Sequence, residues 1–598
     1  MAASFAEQEG SLFEAVLQGG LPHVDKTGFF PTLYESFSLN PIFLARPRGF
    51  GKSLLLAALD DFFTGRTGLF RGLQAEKFMS SDDFMARPVV HLDMGAAGAS
   101  ADGVGGLKRD LVKILDKSAG RHGVRLSRGD PESRFGQLLE LAAAKSPDGR
   151  CVLLVDGHDG PVAGLIKKDR KLWDRRLIRD ARDVMGTFYQ TIKSSGACLR
   201  FALLTGVTRF PEPGVSAGFD NLTDISLSPE YAALCGFTQA ELENSFAAVV
   251  GELAGRKKTG AAEIWGTLRA KYHGFSFDGS TRVYRPLSVR RFLTTGEAGD
   301  YWADAGSESF LRSFLSEKAA FLRDFSGLEV GESFAGRPGD IERAGPEGYL
   351  YQTGGLTLRR GESGRLSLDY PSGEVAKSMR SLVILAMMDD SVTETVQFYE
   401  DLSSSLGSGD PGLVFRHLWR VVSCFDARAL SAAAGELRDH AGTGGGGPSS
   451  PEPGAGVYRE FLRKYFAGMG VLAEEGGGTE TGGAGLCARF LDKTYAVGLS
   501  LAEDGDAPAA AKKGLAQIRP KPRRRPDKNL VLLSLGLDIK LRRPAACAFA
   551  LWNLEGMLAA DGRGVVSSAD EEGGRDPGSG GPAARSEKLG RTKKSGKV

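Results

Sequence analysis

The sequence predicts an α/β protein built on two sheets: a parallel-sheet domain first, a helical middle, and a smaller mixed domain beyond a linker. Three observations predict it. Short apolar runs alternate with longer amphipathic stretches between Leu21 and Val249. One of those runs leads into the loop Arg46-Pro47-Arg48-Gly49-Phe50-Gly51-Lys52-Ser53. A Gly/Pro/Ser-rich stretch, Ala441–Gly456, separates a later strand-and-helix region from the rest.

The first region supplies most of the pattern. Pro41–Ala45, Pro88–Leu92, Cys151–Val155 and Arg200–Leu204 are short apolar runs bounded by polar or turn residues, as buried parallel strands are. Helical spacing fills the gaps at Ser53–Phe63, Gly106–Lys117, Arg134–Ala144 and Lys171–Ser194. Strand and helix in alternation imply right-handed crossovers and a parallel sheet. From Val250 to Met388 the reading is mostly helical, and Asp389–Leu437 continues it. Ala441–Gly456 reads as a flexible linker. An amphipathic helix over Val457–Met469 and strand runs at Tyr495–Leu501 and Leu530–Leu535 follow. The expected divisions are an N-terminal extension 1–20, a first domain 21–249, a helical middle region 250–440, the linker 441–456, a second α/β domain 457–555, and a disordered tail 556–598 rich in Gly, Ser and charge.

Composition excludes several classes. In 598 residues, apolar content of 41% and charged content of 25% are ordinary for globular protein. A net charge of +2 excludes a polycation, so any nucleic-acid surface is local. The six cysteines form no CxxC pair and suggest neither zinc nor a disulfide framework. Met1–Gly20 has no basic stretch of the signal-peptide kind, and no uncharged run reaches the roughly 20 residues that span a bilayer. The expected location is the cytoplasm, with no membrane partner.

The loop after Pro41–Ala45 ends in Gly51-Lys52-Ser53, as does the phosphate loop GxxxxGK[ST], although Arg46 stands at its first glycine. Gly49 and Gly51 allow backbone N–H groups to turn inward, and the next helix adds partial positive charge. Lys52 is placed for the β- and γ-phosphates of ATP and Ser53 for Mg²⁺; Arg48, Gly49, Phe50, Gly51 and Leu54 complete the candidate cradle. Taken alone, Gly-Lys-Ser also fits an incidental strand–turn–helix. A second, magnesium-holding carboxylate is expected at the end of an adjacent strand, where Asp156 follows Cys151–Val155; a strand-end cap is the alternative. The following residue, commonly an acid that activates water, is Gly157, with Asp159 two further on. Thr205 ends another strand at a γ-phosphate-sensing position, and Arg209 is a candidate basic contact.

These pieces, in this order, resemble one bacterial family. The likeness runs through His23–Thr27, Ala45–Leu54, Leu154–Asp156, Phe188-Tyr189 with Lys193, Leu204–Phe210, Asn221–Ile225, Leu234–Thr238, Tyr272–Phe275, Val283–Ser288, Tyr301-Trp302 and Tyr351–Gly354. It covers Leu21 to Val375. The chain is similar to AAA-ATPase-like proteins that carry a C-terminal PD-(D/E)xK nuclease-like domain. The resemblance implies a P-loop NTPase-like parallel sheet, ATP with Mg²⁺, and a restriction-endonuclease-like α/β domain after the helical region. The family loop reads RPRRFGKS, so Arg46 is expected and Gly49 replaces an arginine. The family's second motif resembles IDEYD; here Val155–Asp159 has Gly157 for the acid, which implies weak or absent hydrolysis.

In the nuclease-like part the resemblance implies an acid after the first helix, then GRxD, ExK, and an ALxQI helix. Glu474 or Glu475 resembles the first acid and Leu515–Ile518 the late helix. Gly482–Arg489 has no Asp, and Gly498 and Ser500 fall at the Glu and Lys of ExK in Tyr495–Leu501. Glu503 and Asp504 are the nearest substitutes. The expectation is an ATP-binding protein with an inactivated nuclease-like domain. The alternatives are a non-catalytic pseudoenzyme holding a partner or DNA, and an ATP-gated metal-dependent nuclease. Lys512-Lys513, Arg519–Arg525 and the tail run Arg585–Lys597 are candidate phosphate contacts, or else solvated surface with no interleaved aromatic residue.

Overall fold

The computed structural model describes residues 11–19, 21–36, 40–95, 97, 103–162, 175–208, 222–303, 311–312, 315–316, 325–331, 346–388, 396–426, 429–434, 455–475, 486–491, 493–502, 506–518, 530–538, 543–552 and 558–565. They fall into two compact units, one of residues 1–310 with 324–379, the other of 311–323 with 380–598.

The first unit is centred on a five-stranded sheet. Its strands are β1 (Ile42–Ala45), β2 (Val89–Asp93), β3 (Cys151–Asp156), β4 (Leu199–Gly206) and β5 (Thr223–Asp224), in the order β2-β3-β4-β1-β5. Every neighbouring pair is parallel. All of β1 and nearly all of β3 and β4 is buried, which is why these strands read as continuous apolar runs. Alternate residues serve opposite faces. Phe43, Leu153, Val155, Ala202 and Leu204 meet Leu107, Leu111, Phe135, Leu138, Met185 and Phe188 from helices Gly103–Arg121, Pro131–Ala143 and Arg175–Ser194. Helix Lys52–Phe63 brings Phe63 onto Phe201 of β4, ring centroids 5.0 Å apart. All four expected strands and all four expected helices are present, with described ends moved by at most four residues; residues 171–174 lie outside the described residues.

The order places β4 between β1 and β3, so the phosphate loop, Thr205 and Asp156 leave three adjacent strands at the same edge. Chain crossovers in parallel sheets put loops of this kind over the carboxyl ends of strands, where ligands bind.

Three features of the first unit differ from the sequence expectation. Residues 11–19, expected as part of an extension, hold helix Leu12–Leu17, whose Phe13 packs on Phe70 at 5.4 Å and whose N-cap Ser11 bonds Asp61. The first compact unit does not stop near residue 249. A helical cluster, Gln239–Lys257, Ala261–Tyr272 and Pro286–Thr295, closes around Leu242, Phe246, Leu268, Tyr284 and Phe292. The region also contains sheet: β6 (His273–Ser276) pairs antiparallel with β7 (Arg282–Tyr284), and β8 (Glu329–Val330), β9 (Thr357–Arg360) and β10 (Leu366–Asp369) form an antiparallel set. Two- to four-residue strands leave too short a period to distinguish from helix by pattern.

The second unit carries helices Val396–Ser408, Pro411–Ser423 and Ala455–Gly468, and a six-stranded mixed sheet in sequence order. Its strands are β11 (Leu472–Glu475), β12 (Leu486–Phe490), β13 (Lys493–Ala502), β14 (Leu530–Asp538), β15 (Arg543–Trp552) and β16 (Leu558–Val565). β13 and β14 are parallel and joined through helix Ala507–Ile518; the other pairs are antiparallel. β16 lies inside the stretch expected as a disordered tail. Its residues pair with β15 from Ala546↔Val565 to Trp552↔Leu558. Backbone pairing to a neighbour overrides a glycine-rich composition. Residues 566–598, most of the linker, and Arg519–Arg525 lie outside the described residues.

Candidate nucleotide-phosphate site

The loop between β1 and helix Lys52–Phe63 is shaped by two glycines in the left-handed region, Gly49 at φ 79° and Gly51 at φ 93°, a conformation other residues adopt at a cost. Gly51 caps the helix without any side-chain hydrogen bond. A helix end of this kind offers unsatisfied N–H groups and partial positive charge to an anion. A Cβ on Gly51 would meet no atom within 4 Å, so the space beside it is open. The N–H groups of Gly49, Phe50 and Gly51 find no acceptor among the described residues.

Arg46, at the first glycine position of the usual loop, is a structural bolt. Its guanidinium is buried and donates to the carbonyls of Ala45 at 2.9 Å, Ser226 at 2.7 Å and Tyr231 at 2.9 Å. It also lies 4.0 Å above the Phe277 ring. A buried charge is tolerated when hydrogen bonds and π density replace its water. Phe50 is buried edge-on against Phe275 at 5.0 Å and Phe277 at 5.4 Å. Pro47 fills the space over Gly354, where a Cβ would come within 2.9 Å of it.

Lys52 Nζ donates to the carbonyls of Arg46 at 2.8 Å and Pro47 at 3.0 Å. Burial lowers its pKa, against the pull of Asp159, Cys235 and Asp156. Ser53 is exposed and Leu54 half-buried at the first helical turn. Arg48 is exposed, with its carbonyl turned back into the protein.

Across the sheet edge, Thr205 donates its hydroxyl to Asp156 Oδ1 at 3.0 Å. Asp156 is thus brought next to Thr205, as their places on β3 and β4 suggest. Gly157 sits at φ 67°, and a Cβ there would contact only Gly95 at 3.6 Å. Asp159 is differently employed. Its carboxylate accepts from the N–H of Val207 at 3.2 Å, and from the N–H and hydroxyl of Thr208 at 3.0 and 3.1 Å. Burial alone would raise its pKa; His158, these Thr208 and Val207 donors and Lys52 together hold it below the ordinary carboxylate value. The buried His158 ring bonds the Thr208 carbonyl at 2.7 Å, and burial pushes its pKa down. Asp159 and His158 therefore clamp the chain leaving β4. Arg209 lies outside the described residues.

Sequence reasoning gave no role to the residues that support the loop from behind. Arg285, between β7 and helix Pro286–Thr295, is wholly buried. Its Nε donates to the Arg48 carbonyl at 2.9 Å, and Leu287 N–H to the Gly49 carbonyl at 3.2 Å. Arg285 Nη1 reaches Ser288 Oγ at 3.0 Å; Ser288 donates to Glu374 at 2.6 Å, which also accepts from Trp302 N–H at 3.2 Å. Burial raises the Glu374 carboxyl to about 7, with Ser288, Arg285 and the Trp302 N–H opposing. The signal was present in the motifs Val283–Ser288 and Tyr301-Trp302, which hold this support, and in Tyr272–Phe275 and Tyr351–Gly354, whose Phe275 and Gly354 meet Phe50 and Pro47 of the loop.

In the second unit, Glu474 is exposed on β11, and Gly498 and Ser500 pair with Ser534 and Gly536 across β13 and β14. Glu503 and Asp504 lie outside the described residues. No cluster of three His, Cys, Asp or Glu side chains able to hold a metal occurs among the described residues. No described helix is long and apolar enough to cross a membrane.

Comparison with known proteins agrees with this geometry. The family model described as "AAA-ATPase_like: Predicted AAA-ATPase" matches residues 11–216. A protein of Azotobacter chroococcum mcd 1, described as an uncharacterized protein in the vnfD 5' region, is 32% identical over 400 residues. That match spans 65% of this chain and 72% of the relative. The chain therefore belongs to one family with the Azotobacter protein, and its residues 11–216 form a predicted AAA-ATPase-like domain.

Proposed function

We propose that the chain binds Mg-ATP on Arg48–Leu54, hydrolyses it slowly or not at all, and carries an inactivated nuclease-like domain. The observation that carries the reading is the loop itself: two left-handed glycines and an uncapped helix end turn N–H groups to one side, beside the paired Thr205 and Asp156. The residues fit the ligand. The cradle is open at Gly51, contains no carboxylate, and has Lys52 at its end. Magnesium would neutralise phosphate charge, held by Ser53 and, directly or through water, by Asp156. Lys52 would exchange its two loop carbonyls for the β- and γ-phosphate oxygens. Thr205 keeps Asp156 oriented.

Slow turnover is supported by Gly157 and Asp159. The first has no acid, and the second already accepts from three donors through both of its oxygens. A general base needs a free lone pair within reach of the water it activates. The strand order, the β13–helix–β14 crossover and the helix before β11 support the nuclease-like reading of the second unit. Gly498 and Ser500 support its inactivity, because a metal site needs the missing acids. A pseudoenzyme that holds a partner or DNA without regard to ATP is the second reading, favoured by the tie between Lys52 and its own loop carbonyls.

Phosphate release tests the turnover claim. With Mg-ATP in excess, release from the wild type should stay below about one per minute, far under the usual enzyme range. Gly157→Glu, whose Cβ would meet only Gly95 at 3.6 Å although at a left-handed φ, should increase it. Fast release by the wild type, lost in Lys52→Ala, would overturn the slow-hydrolysis reading.

A further inference from the structure

We propose that Arg285 is a positioning residue for nucleotide binding: it sets the Arg48–Gly49 peptide so that the loop N–H groups face the phosphates. The inference rests on the phosphate loop being the nucleotide site. Its grounds are geometric. The wholly buried guanidinium lies against Gly49, where a Cβ would stand 2.8 Å from Nε and from Nη2. Only glycine leaves that room. Nε holds the Arg48 carbonyl at 2.9 Å, and two residues along, Leu287 N–H holds the Gly49 carbonyl at 3.2 Å.

In a planar trans peptide the C=O and the following N–H point in opposite directions. Fixing the Arg48 carbonyl toward Arg285 therefore turns the Gly49 N–H away from it. Fixing the Gly49 carbonyl toward Leu287 does the same for the Phe50 N–H. These N–H groups have no acceptor among the described residues. Two anchors thus aim two consecutive donors at one side, as an anion-binding concavity requires. Ser288 and Tyr301 fix the far end of the guanidinium through Nη1, and Glu374 fixes Ser288 in turn. A lysine has one donor centre and cannot reach Arg48, Ser288 and Tyr301 from fixed directions at once.

The test is a double-mutant cycle on the full chain with Mg-ATP affinity measured by calorimetry. The variants are Arg285→Ala, Gly49→Ala and both together, with Arg285→Lys and Lys52→Ala alongside. Gly49→Ala should displace the guanidinium and so repeat the effect of its removal. Each single change should weaken binding at least tenfold. The double variant should be within about threefold of the weaker single, since both remove one interaction. Arg285→Lys should recover part of the loss. A merely structural arginine would lower thermal stability while affinity below the melting point stayed within twofold. That result, with binding lost in Lys52→Ala, overturns this inference and leaves the loop reading intact. Independent losses that multiply in the double variant overturn it as well. Absence of wild-type binding would overturn both. Should Arg285→Ala not fold, Gly49→Ala and Arg285→Lys carry the same decision: affinities equal to wild type refute the positioning role.

Discussion

Glu374 provides a quantitative test of how the support behind the loop is built. It has no exposed surface, and its carboxyl is raised from 4.5 to about 7, chiefly by burial. A raised acid binds its proton more tightly in the folded state, so folding stability falls as pH rises across that window. The sign is opposite to that of Asp159, Asp278 and Asp300, whose carboxyls are held low. A move of this size corresponds to about 3 kcal/mol, complete above pH 7 and absent below about pH 4.5. Glu374→Gln removes the titration while keeping a side chain that can accept from Ser288. Urea unfolding of both proteins between pH 4.5 and 8, followed by hydrogen exchange in peptides covering residues 282–302, measures the difference. The substituted protein should gain about 3 kcal/mol on the wild type between the two ends, because the other carboxylates cancel. A difference flat with pH, to within about 1 kcal/mol, would refute the burial of an ionisable carboxyl behind Arg285.

Two further outcomes follow from single contacts. Asp159→Asn leaves the Val207 and Thr208 donors poorly satisfied and should cost about 1–3 kcal/mol, seen as a lower melting temperature with turnover per folded molecule unchanged; lost turnover at an unchanged melting temperature would make Asp159 the base. Thr205→Val removes the donor to Asp156 and should increase the Mg²⁺ concentration needed for half-maximal nucleotide binding several-fold, measured by titration at fixed ATP, while an unchanged requirement would detach Asp156 from the metal.

The sheet was legible in the sequence because its physical causes are local. Buried parallel strands are apolar on both faces, so β1, β3 and β4 stand out as runs, and Gly51-Lys52-Ser53 marks the turn between β1 and its helix. The places of Asp156 and Thr205 at adjacent strand ends were legible for the same reason: each ends such a run. Arg46 was readable as a departure but not as a bolt, since its partners Ser226, Tyr231 and Phe277 lie about two hundred residues away in sequence. Glu374 was illegible in the same way, and Arg285, although inside the motif Val283–Ser288, carried no sign of its burial. Neither has a periodicity to reveal burial, and an isolated arginine in sequence reads as surface. Asp159 was misleading because spacing from Asp156 says nothing of which donors its carboxylate meets. β16 was hidden because pairing to β15, not composition, makes it a strand.

The most direct test of the account is calorimetric titration of Mg-ATP into the full chain and into Lys52→Ala. Saturable, magnesium-dependent binding at one site per chain is expected in the wild type and its loss in the substituted protein, with both folded alike. Equal binding by the two, or none by either, would contradict the assignment of the Arg46–Ser53 loop as a nucleotide site.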